Sequence, residues 1–370
     1  MSVFQFWKHD VTSLCASLHE LLNDVATPDE SDGSDYEDEP QTDVINGRVE
    51  RLVAKLRHVF YGTLDQPVKE EDCKQVAEML SRSHVMARLV TPSLLSQLSF
   101  ETRKSVAALF RALVRRDQAS SIVCDVALMT RLAQGYTAST DTALVCGSML
   151  RDCLERIECA HAFLLNMPAE LELLVATAAT HPHFEVSSDA LSNIGLLLTH
   201  KQSVPVLLAE FDRVFTAQYQ TLLLSDNYAT QRHALQILSK VLLDPMNGAV
   251  MMKYISKRDH LKTILRVLRR PSDALRMDAF HIFKIFVANP NKTPEVEALL
   301  LRNRDKLHAY VKSFGAMHHG GKQQPGFVAE IRLLLFTLEH LDQTKRELEP
   351  PTDDSRPPKK QQTATLVQTL

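Results

Sequence analysis

Glycine is scarce in this chain of 370 residues, and long apolar runs are missing. Eleven glycines suit helices joined by short corners, and no strand-like alternation is long enough to predict a sheet. No apolar segment approaches the roughly 18 residues that a membrane span requires, and we find no signal peptide. Ser2 follows Met1, so the glycine needed for myristoylation is absent. We therefore expect a helical, cytoplasmic protein without a membrane anchor.

Signatures of catalysis and of metal binding are also missing. The six cysteines form no CxxC pair, which fits a reducing compartment. The sequence contains no GxSxG, GxxxxGK[ST], HExxH or GxGxxG motif. Its fifteen histidines are scattered, and His181-x-His183 lacks acids or cysteines at ligand spacing. We predict no catalytic residue, no metal site and no cofactor.

Composition divides the chain into four segments. Residues 1–26 predict a short amphipathic helix that caps the first repeat or binds a partner. Residues 27–43 hold eight acids and no lysine or arginine, so we expect a disordered insert. Setting these acids aside changes the net charge from −3 to +5, so the body, residues 44–341, is mildly basic. Residues 342–370 are rich in proline and charge, which predicts an unstructured tail.

One helical pattern recurs five times in the body. In its last copy, residues 279–293 (AFHIFKIFVANPNKT), apolar residues stand at an anchor and at +4, +7 and +8, which form one helix face. Successive anchors lie 40 to 45 residues apart, as in HEAT and armadillo repeats. An ordinary bundle has no reason to keep this period, so we predict an all-α fold, a right-handed α-solenoid of HEAT/armadillo-like repeats. The anchors of these five template helices are Val106, Cys146, Ala190, Ala234 and Ala279.

The corner after the last template helix is also predicted by residue type. Asn289-Pro290-Asn291 should end this helix, since proline lacks the amide proton and disfavours helix in the residue before it. Thr293 followed by Pro294 predicts a new helix with a hydroxyl cap.

Positions −2 and +5 from each anchor lie away from the apolar face and carry no acid. If the template helices line one side of the solenoid, that side is a basic groove. The alternatives are a solvated helix surface without function, or a basic solenoid that binds RNA or another acidic partner. The charge of only +5 outside the acidic insert and the lack of interleaved aromatics argue against RNA. The predicted basic stripe consists of Lys104, Arg111, Arg151 and Lys284.

One pair of side chains is a more specific candidate for recognition. Tyr228 and Arg232 stand four residues apart on the fourth template helix. An aromatic ring beside a guanidinium suits a peptide that presents an acid and a bulky side chain.

Five stretches of the body carry a family resemblance. They are FHIFKIFVANPNKT (Phe280–Thr293), KYISK (Lys253–Lys257), LLLSDNYATQRHALQIL (Leu222–Leu238), SFETRKSVAALF (Ser99–Phe110) and CGSMLRDCL (Cys146–Leu154). With these stretches the chain resembles the calcium-binding protein 39 family of scaffolds from about Phe60 to Leu341.

The resemblance implies a horseshoe of HEAT/armadillo-like helices without enzymatic activity. Members of this family bind a sterile-20-type kinase or a pseudokinase adaptor on the concave face and stabilise its active conformation. The adaptor can form a ternary complex with a second kinase, and its Trp-Glu-Phe tail enters a C-terminal pocket. The implied partner is therefore a kinase or pseudokinase rather than nucleic acid or membrane, and the free protein is expected to be a monomer.

The resemblance also assigns the residues of the peptide pocket. Tyr228 and Arg232 match family pocket residues, whereas the family's lysine is Gln236 here and its methionine is Leu265. The family's Arg-His-Asn-Phe, tied to kinase binding, is replaced by Pro-Met-Asn-Gly at Pro245–Gly248.

Overall fold

The computed structural model describes residues 11–25, 39–62, 67–82, 84–116, 125–317 and 325–341. All regular structure in these ranges is helical. The chain forms two compact units, Met1–Val206 and Leu207–Leu370. Each unit consists of helices that pack against their neighbours along the chain, as a HEAT/armadillo-like α-solenoid requires.

The first unit contains eleven complete α-helices among its described residues. They are α1 (Val11–Val25), α2 (Glu39–Tyr61), α3 (Glu70–Arg82), α4 (Val85–Leu89), α5 (Pro92–Gln97), α6 (Phe100–Arg116), α7 (Val126–Gln134), α8 (Thr140–Leu154), α9 (Ile157–Asn166), α10 (Pro168–Thr180) and α11 (Phe184–Thr199). Helix α12 (Val204–Ala209) includes the boundary between the units in the sequence.

The second unit continues the helical pattern in its described residues. A π-helical segment, Asp212–Gln218, leads directly into α13. The helices are α13 (Tyr219–Leu223), α14 (Tyr228–Leu243), α15 (Gly248–Ile255), α16 (Arg258–Val267), α17 (Asp273–Ala288), α18 (Pro294–Arg302), α19 (Arg304–Met317) and α20 (Pro325–Glu339).

The five template helices are α6, α8, α11, α14 and α17, and they form the seams of the two units. All their residues at the anchor, +4, +7 and +8 positions are buried, with at most 6% of the residue surface exposed. In the first unit α8 packs between α6 and α11, and in the second α17 packs between α14 and α20. The predicted repeat is therefore confirmed as the organising element of the fold.

Helix α1 buries the apolar face that the sequence predicts. This face packs on α2, α3 and α4 and consists of Val11, Leu14, Leu18, Leu21 and Leu22. The predicted acidic insert lies outside the described residues except for residues 39–43, which form the first turn of α2. The tail, residues 342–370, lies outside the described residues.

The predicted corner after α17 is confirmed, with one difference in its hydrogen bonding. Helix α17 ends at Ala288, and Thr293 stands at the N-cap position before Pro294. The Thr293 hydroxyl does not cap α18; it donates to the Ser256 carbonyl at 2.8 Å. Because Ser256 follows α15, this bond joins two corners that are distant in sequence.

A buried polar network joins α8 to α11 in the first unit. The Tyr136 hydroxyl donates to the Asp189 carboxylate, which also accepts from Arg151. The Asn193 amide donates to the Tyr136 oxygen at 2.8 Å and to the Gly147 carbonyl at 3.1 Å. Burial, and then the Asp189 charge, raise the pKa of Tyr136 well above its ordinary value, so the phenol stays protonated. The Tyr136 hydroxyl therefore donates to Asp189 and accepts from Asn193.

An aromatic cluster fills the core of the second unit around a buried histidine. The His260 ring stacks on Tyr254 with a centroid distance of 4.1 Å. Its Nδ1 lies 3.0 Å from the Tyr254 carbonyl and therefore donates, so Nε2 accepts from the Thr216 hydroxyl at 3.1 Å. Burial lowers the pKa of His260 from 6.5 to about 4.

Replacing Gly147 by alanine is expected to lower the free energy of unfolding by about 1–3 kcal/mol. An added Cβ would collide with the Asp189 carboxylate and the Tyr136 hydroxyl. Gly47→Ala is the control, because Gly47 is also helical and has open space around it. Urea unfolding should show Gly47→Ala to be neutral or stabilising. Equal effects of the two substitutions would contradict the account of the network.

Acidification should destabilise the protein through His260. Between pH 6.5 and about 4 the unfolded chain binds a proton that the folded protein excludes, so the free energy of unfolding falls as the pH falls. The full effect of this group is about 3 kcal/mol at most. Urea titrations at pH 7 and pH 4.5 should show a smaller pH-dependent loss in His260→Gln. The control His183→Gln, at an exposed position, should keep the wild-type loss.

Candidate partner-binding surfaces

The cations of the predicted basic stripe in the first unit are paired with acids. Lys104 lies 3.4 Å from Glu101 on its own helix, and its Nζ is 4.1 Å from the centroid of the Phe100 ring. The Arg111 Nε donates to the two oxygens of Asp152 at 2.9 and 3.0 Å. Arg151 pairs with Asp189 in the network described above.

Lys284, the stripe residue of the second unit, does not present its charge to solvent. Its side chain is only 7% exposed, and its Nζ lies 2.6 Å from the Glu330 carboxylate on α20. The sequence places Lys284 on the outer side of α17, but α20 covers this side. The expectation of an exposed cation here is therefore corrected: Lys284 holds two helices together.

Most of the acids that neutralise the stripe come from the next helix of the stack. Asp152 follows Arg111 by 41 residues, and Glu330 follows Lys284 by 46. For one of these acids the sequence contains a signal: Asp189 stands one position before an anchor, as does Asp278, which pairs with Arg232. As a result, the template helices carry a pattern of ion pairs instead of a uniform positive stripe.

Three of the four predicted pocket residues lie together on α14, and two of them, Arg232 and Gln236, share one acid of α17. Asn227 caps α14 by accepting from the amides of Ala229 and Thr230, and this cap positions Tyr228 in the first turn. The Arg232 Nε lies 3.3 Å from Asp278 Oδ2, and the Gln236 amide lies 3.5 Å from the same oxygen.

The charge at this cluster is fixed by its neighbours. Tyr228, and then Asp278, raise the pKa of Arg232, so this side chain stays a cation. Tyr228 remains 47% exposed and the Arg232 side chain 44%. An aromatic ring and a guanidinium are therefore both accessible on the first two turns of α14.

A small cavity continues this cluster along the groove between α14 and α17. It has a volume of about 300 Å³. Burial, and then Lys284, lower the pKa of His281, so this lining residue is neutral at pH 7. The lining residues are Gln236, Ser239, Lys240, Leu243, Asp278 and His281.

The fourth predicted pocket residue, Leu265, lines a different groove. This groove lies among α16, α18 and α19, has a volume of about 570 Å³ and shares no lining residue with the cavity beside Asp278. Lys262 pairs with Asp259 at 2.7 Å, whereas three other lining cations have no ion-pair partner among the described residues. The apolar lining is formed by Leu265, Leu268, Leu299 and Leu307, the cations are Lys262, Arg266, Arg269 and Lys306, and Asn303 and Tyr310 complete it. We call it the Leu265 groove.

Two exposed aromatic residues on the first unit were not predicted as binding residues. Phe100 and Phe184 are the first residues of α6 and α11, and they are 49% and 58% exposed. Both stand six positions before a template anchor, as does Tyr228 in the second unit. A search of position −6 for aromatic residues would have found all three.

The described residues contain no group of three or more histidine, cysteine, aspartate or glutamate side chains able to hold a metal ion. Within the same ranges no single helix is long and apolar enough to cross a membrane. Only the pair α9 and α10, bent by 95°, reaches that length and composition together.

Stacked helical repeats with accessible grooves define a class of protein: the HEAT/armadillo-like helical-repeat scaffold. A profile of the Mo25-like family matches residues 4–342. The chain therefore belongs to the Mo25-like family.

Relatives from distant organisms agree with this assignment. The chain is 34% identical to the degreening-related gene dee76 protein of Auxenochlorella protothecoides, over 75% of this chain and 87% of that protein. It is 32% identical to human calcium-binding protein 39-like, over 82% and 90%, and 31% identical to the Mo25-like protein of Schizosaccharomyces pombe, over 79% and 88%.

Solved structures of lower similarity include UNC-45 from Drosophila melanogaster. It has a TM-score of 0.38 and 10% identity, over 91% of this chain and 48% of that one. An engineered protein has a TM-score of 0.40 and 11% identity, over 90% and 93%.

Lys284→Ala is expected to lower the free energy of unfolding by about 3 kcal/mol, because it leaves Glu330 without its partner in a mostly buried position. Lys104→Ala removes an exposed pair and should cost less than about 1 kcal/mol. Urea unfolding of the two variants measures both values. If Lys104→Ala were as costly as Lys284→Ala, the structural role of Lys284 would lose its support.

Proposed function

We propose that this protein is a non-catalytic scaffold that binds a sterile-20-type kinase or pseudokinase through its template helices and stabilises the active conformation of that partner. It would act in the cytoplasm, as a monomer when free, and could hold the adaptor together with a second kinase. The observation that carries the proposal is the accessible cluster of Tyr228, Arg232 and Gln236 around Asp278.

The chemistry of the cluster supports a protein ligand. Arg232 uses its Nε toward Asp278, and its exposed fraction leaves guanidinium donors for a second carboxylate. Tyr228 supplies an exposed ring next to this cation. Aromatic and arginine side chains are the residue types that contribute most to protein–protein binding energy. Phe100 and Phe184 would provide further apolar anchors on the first unit.

Activation would follow from differential affinity. A kinase domain exists in open and closed conformations, and a scaffold that binds the closed one more tightly shifts the population towards it. A hundredfold preference corresponds to about 2.7 kcal/mol. Such a mechanism needs a rigid surface, and the buried seams of α14 and α17 provide it.

The Leu265 groove is the proposed site for a short peptide from the partner. Leucine side chains supply apolar surface, and exposed cations next to them select acidic residues. A peptide such as Trp-Glu-Phe has both kinds of group. Because Leu265 lies apart from the cavity beside Asp278, we assign the peptide to the Leu265 groove and the body of the kinase to the α14–α17 surface.

Binding of RNA by a basic solenoid is the alternative. The ion pairs of Lys104, Arg111, Arg151 and Lys284 disfavour it, since paired cations release fewer counterions from a polyanion. Retention on RNA with a steep dependence on salt would support this alternative.

Arg232→Ala should weaken capture of a sterile-20-type kinase domain about tenfold without lowering the melting temperature. Arg270→Ala is the matched control, because the Arg270 side chain lies in the same unit, is about as exposed as that of Arg232, and also pairs with an aspartate, Asp226. Surface plasmon resonance and differential scanning fluorimetry measure the two properties. Equal affinities of Arg232→Ala and Arg270→Ala would refute the assignment of the kinase surface.

Leu265→Asp should abolish binding of a fluorescent peptide that ends in Trp-Glu-Phe. The new carboxylate repels the glutamate of the peptide and replaces an apolar side chain of the groove. Gln236→Asp is the control for the neighbouring cavity and should leave peptide affinity within about twofold. Fluorescence anisotropy measures both. Loss of peptide binding in Gln236→Asp alone would move the peptide to the α14–α17 surface.

A further inference from the structure

The Leu265 groove combines unpaired cations with leucine side chains, and its lining contains no acid. Arg266, Arg269 and Lys306 are exposed, whereas Leu268 and Leu307 are buried below them. None of the three cations has an ion-pair partner among the described residues. Three like charges around one apolar groove repel one another, and an acidic segment with an apolar residue would relieve this repulsion.

The last described helix ends close to α19, one of the helices that line this groove. Glu339, at the end of α20, lies 2.8 Å from the Nε2 of His308 on α19. The groove residues Lys306 and Leu307 lie on the same turn of α19 but on other sides of the helix. The chain therefore leaves α20 within one helix diameter, roughly 10 Å, of the groove.

The segment after α20 contains a matching sequence at a suitable distance. Residues 347–354 read ELEPPTDD, with four acids and no lysine or arginine. Glu347 lies six residues beyond Leu341, so the connection spans up to about 20 Å when extended. The groove residues of α19, Asn303 to Tyr310, extend over only about 10 Å of helix.

We propose that residues Glu347–Asp354 of this chain bind in the Leu265 groove and compete there with the peptide of a partner. Pro350 and Pro351 favour an extended backbone in this segment and in the residue before it. An extended backbone directs Leu348 to the side opposite Glu347 and Glu349. Leu348 then contacts the groove leucines while the two glutamates pair with the exposed cations.

This inference rests on the groove proposed for the partner peptide, but it does not require any kinase. Because the segment belongs to the same chain, its effective concentration at the groove is in the millimolar range for a short tether. A weak contact would therefore suffice to occupy the groove, and a partner peptide would need to displace it. Release of the segment becomes a step at which binding can be controlled.

Photocrosslinking in the full-length protein tests the contact directly. Leu348 is replaced by p-benzoylphenylalanine, the dilute protein is irradiated, and the crosslinked peptides are identified by mass spectrometry. We expect a monomeric product in which residue 348 is joined to α16 or α19. The same probe at Leu366, outside the acidic segment, is the control and should give at least about threefold less of this product. Crosslinks elsewhere in the chain, or mainly dimeric product, would overturn the proposal.

A charge exchange separates specific pairing from mere proximity. Lys306→Glu should lower the crosslink yield at least about threefold, and adding Glu349→Lys alone, which restores one pair of opposite charges, should recover part of it. The control Arg304→Glu reverses a neighbouring charge that does not line the groove and should keep the yield. Yields that do not respond to Lys306→Glu would refute the pairing.

The peptide assay distinguishes failure of this inference from failure of the proposed function. In Glu347→Lys with Glu349→Lys, the groove should be free, and affinity for the Trp-Glu-Phe peptide should rise at least about threefold. A crosslink to α16 or α19 without any peptide binding would support self-binding and refute the peptide role. Peptide binding that is unchanged in this variant would refute the competition and leave the peptide role intact.

Discussion

Burial of the seam on each template helix is the constraint on which the structure depends. An isolated repeat cannot hide this face, so each helix is stable only between its neighbours. In α17 the seam comprises Ala279, Phe283, Phe286 and Val287, all with no exposed surface. Small residues at the anchors permit close approach, and large residues further along fill the space between helices. The same burial makes the outer face of each helix rigid, which a binding surface requires.

Polar residues between the seams add specificity to this apolar contact. Tyr136, Asn193 and Asp189 each have a partner that only one arrangement of α8 and α11 provides. Lys284 and Glu330 likewise pair only in the observed arrangement of α17 and α20. A buried ion pair contributes little net stability compared with apolar packing, but a misplaced helix would leave its charges unpaired at a high cost. These pairs therefore specify which faces meet, while the seams supply most of the stabilisation.

The seams could be predicted from the sequence because burial leaves a fixed period, and the five predicted anchors lie on α6, α8, α11, α14 and α17. The pairing of the cations could not be predicted in the same way. Arg111 and Asp152 are 41 residues apart, and the residues near Arg111 in the sequence do not indicate its partner. The predicted hydroxyl cap of Thr293 on α18 is wrong for a similar reason. The hydroxyl donates instead to Ser256, which lies in another corner of the chain.

The candidate site was predictable only in part. Tyr228, Arg232 and Gln236 lie together because spacings of four residues stack side chains on one face of α14, which the sequence determines. Leu265 belongs to α16, and its surroundings depend on how α18 and α19 pack, which no periodicity encodes. Its three unpaired cations are Arg266 on α16, Arg269 in the turn after α16, and Lys306 on α19, about 40 residues further along the chain. Such a cluster becomes visible only when the fold brings its members together.

The distribution of charge argues for recognition of short acidic segments over recognition of a polyanion. On the template helices the cations are neutralised by acids of the stack, so little net field extends beyond the surface, where salt screens it within about 8 Å. In the Leu265 groove three of the four cations have no ion-pair partner among the described residues, and they stand beside leucine side chains. An extended nucleic acid needs many exposed charges along one path, whereas a peptide of a few residues needs this local combination. Three cations without an ion-pair partner among the described residues therefore meet in one apolar groove, where the proposed acidic and apolar segment, from this chain or from a partner, can pair with them.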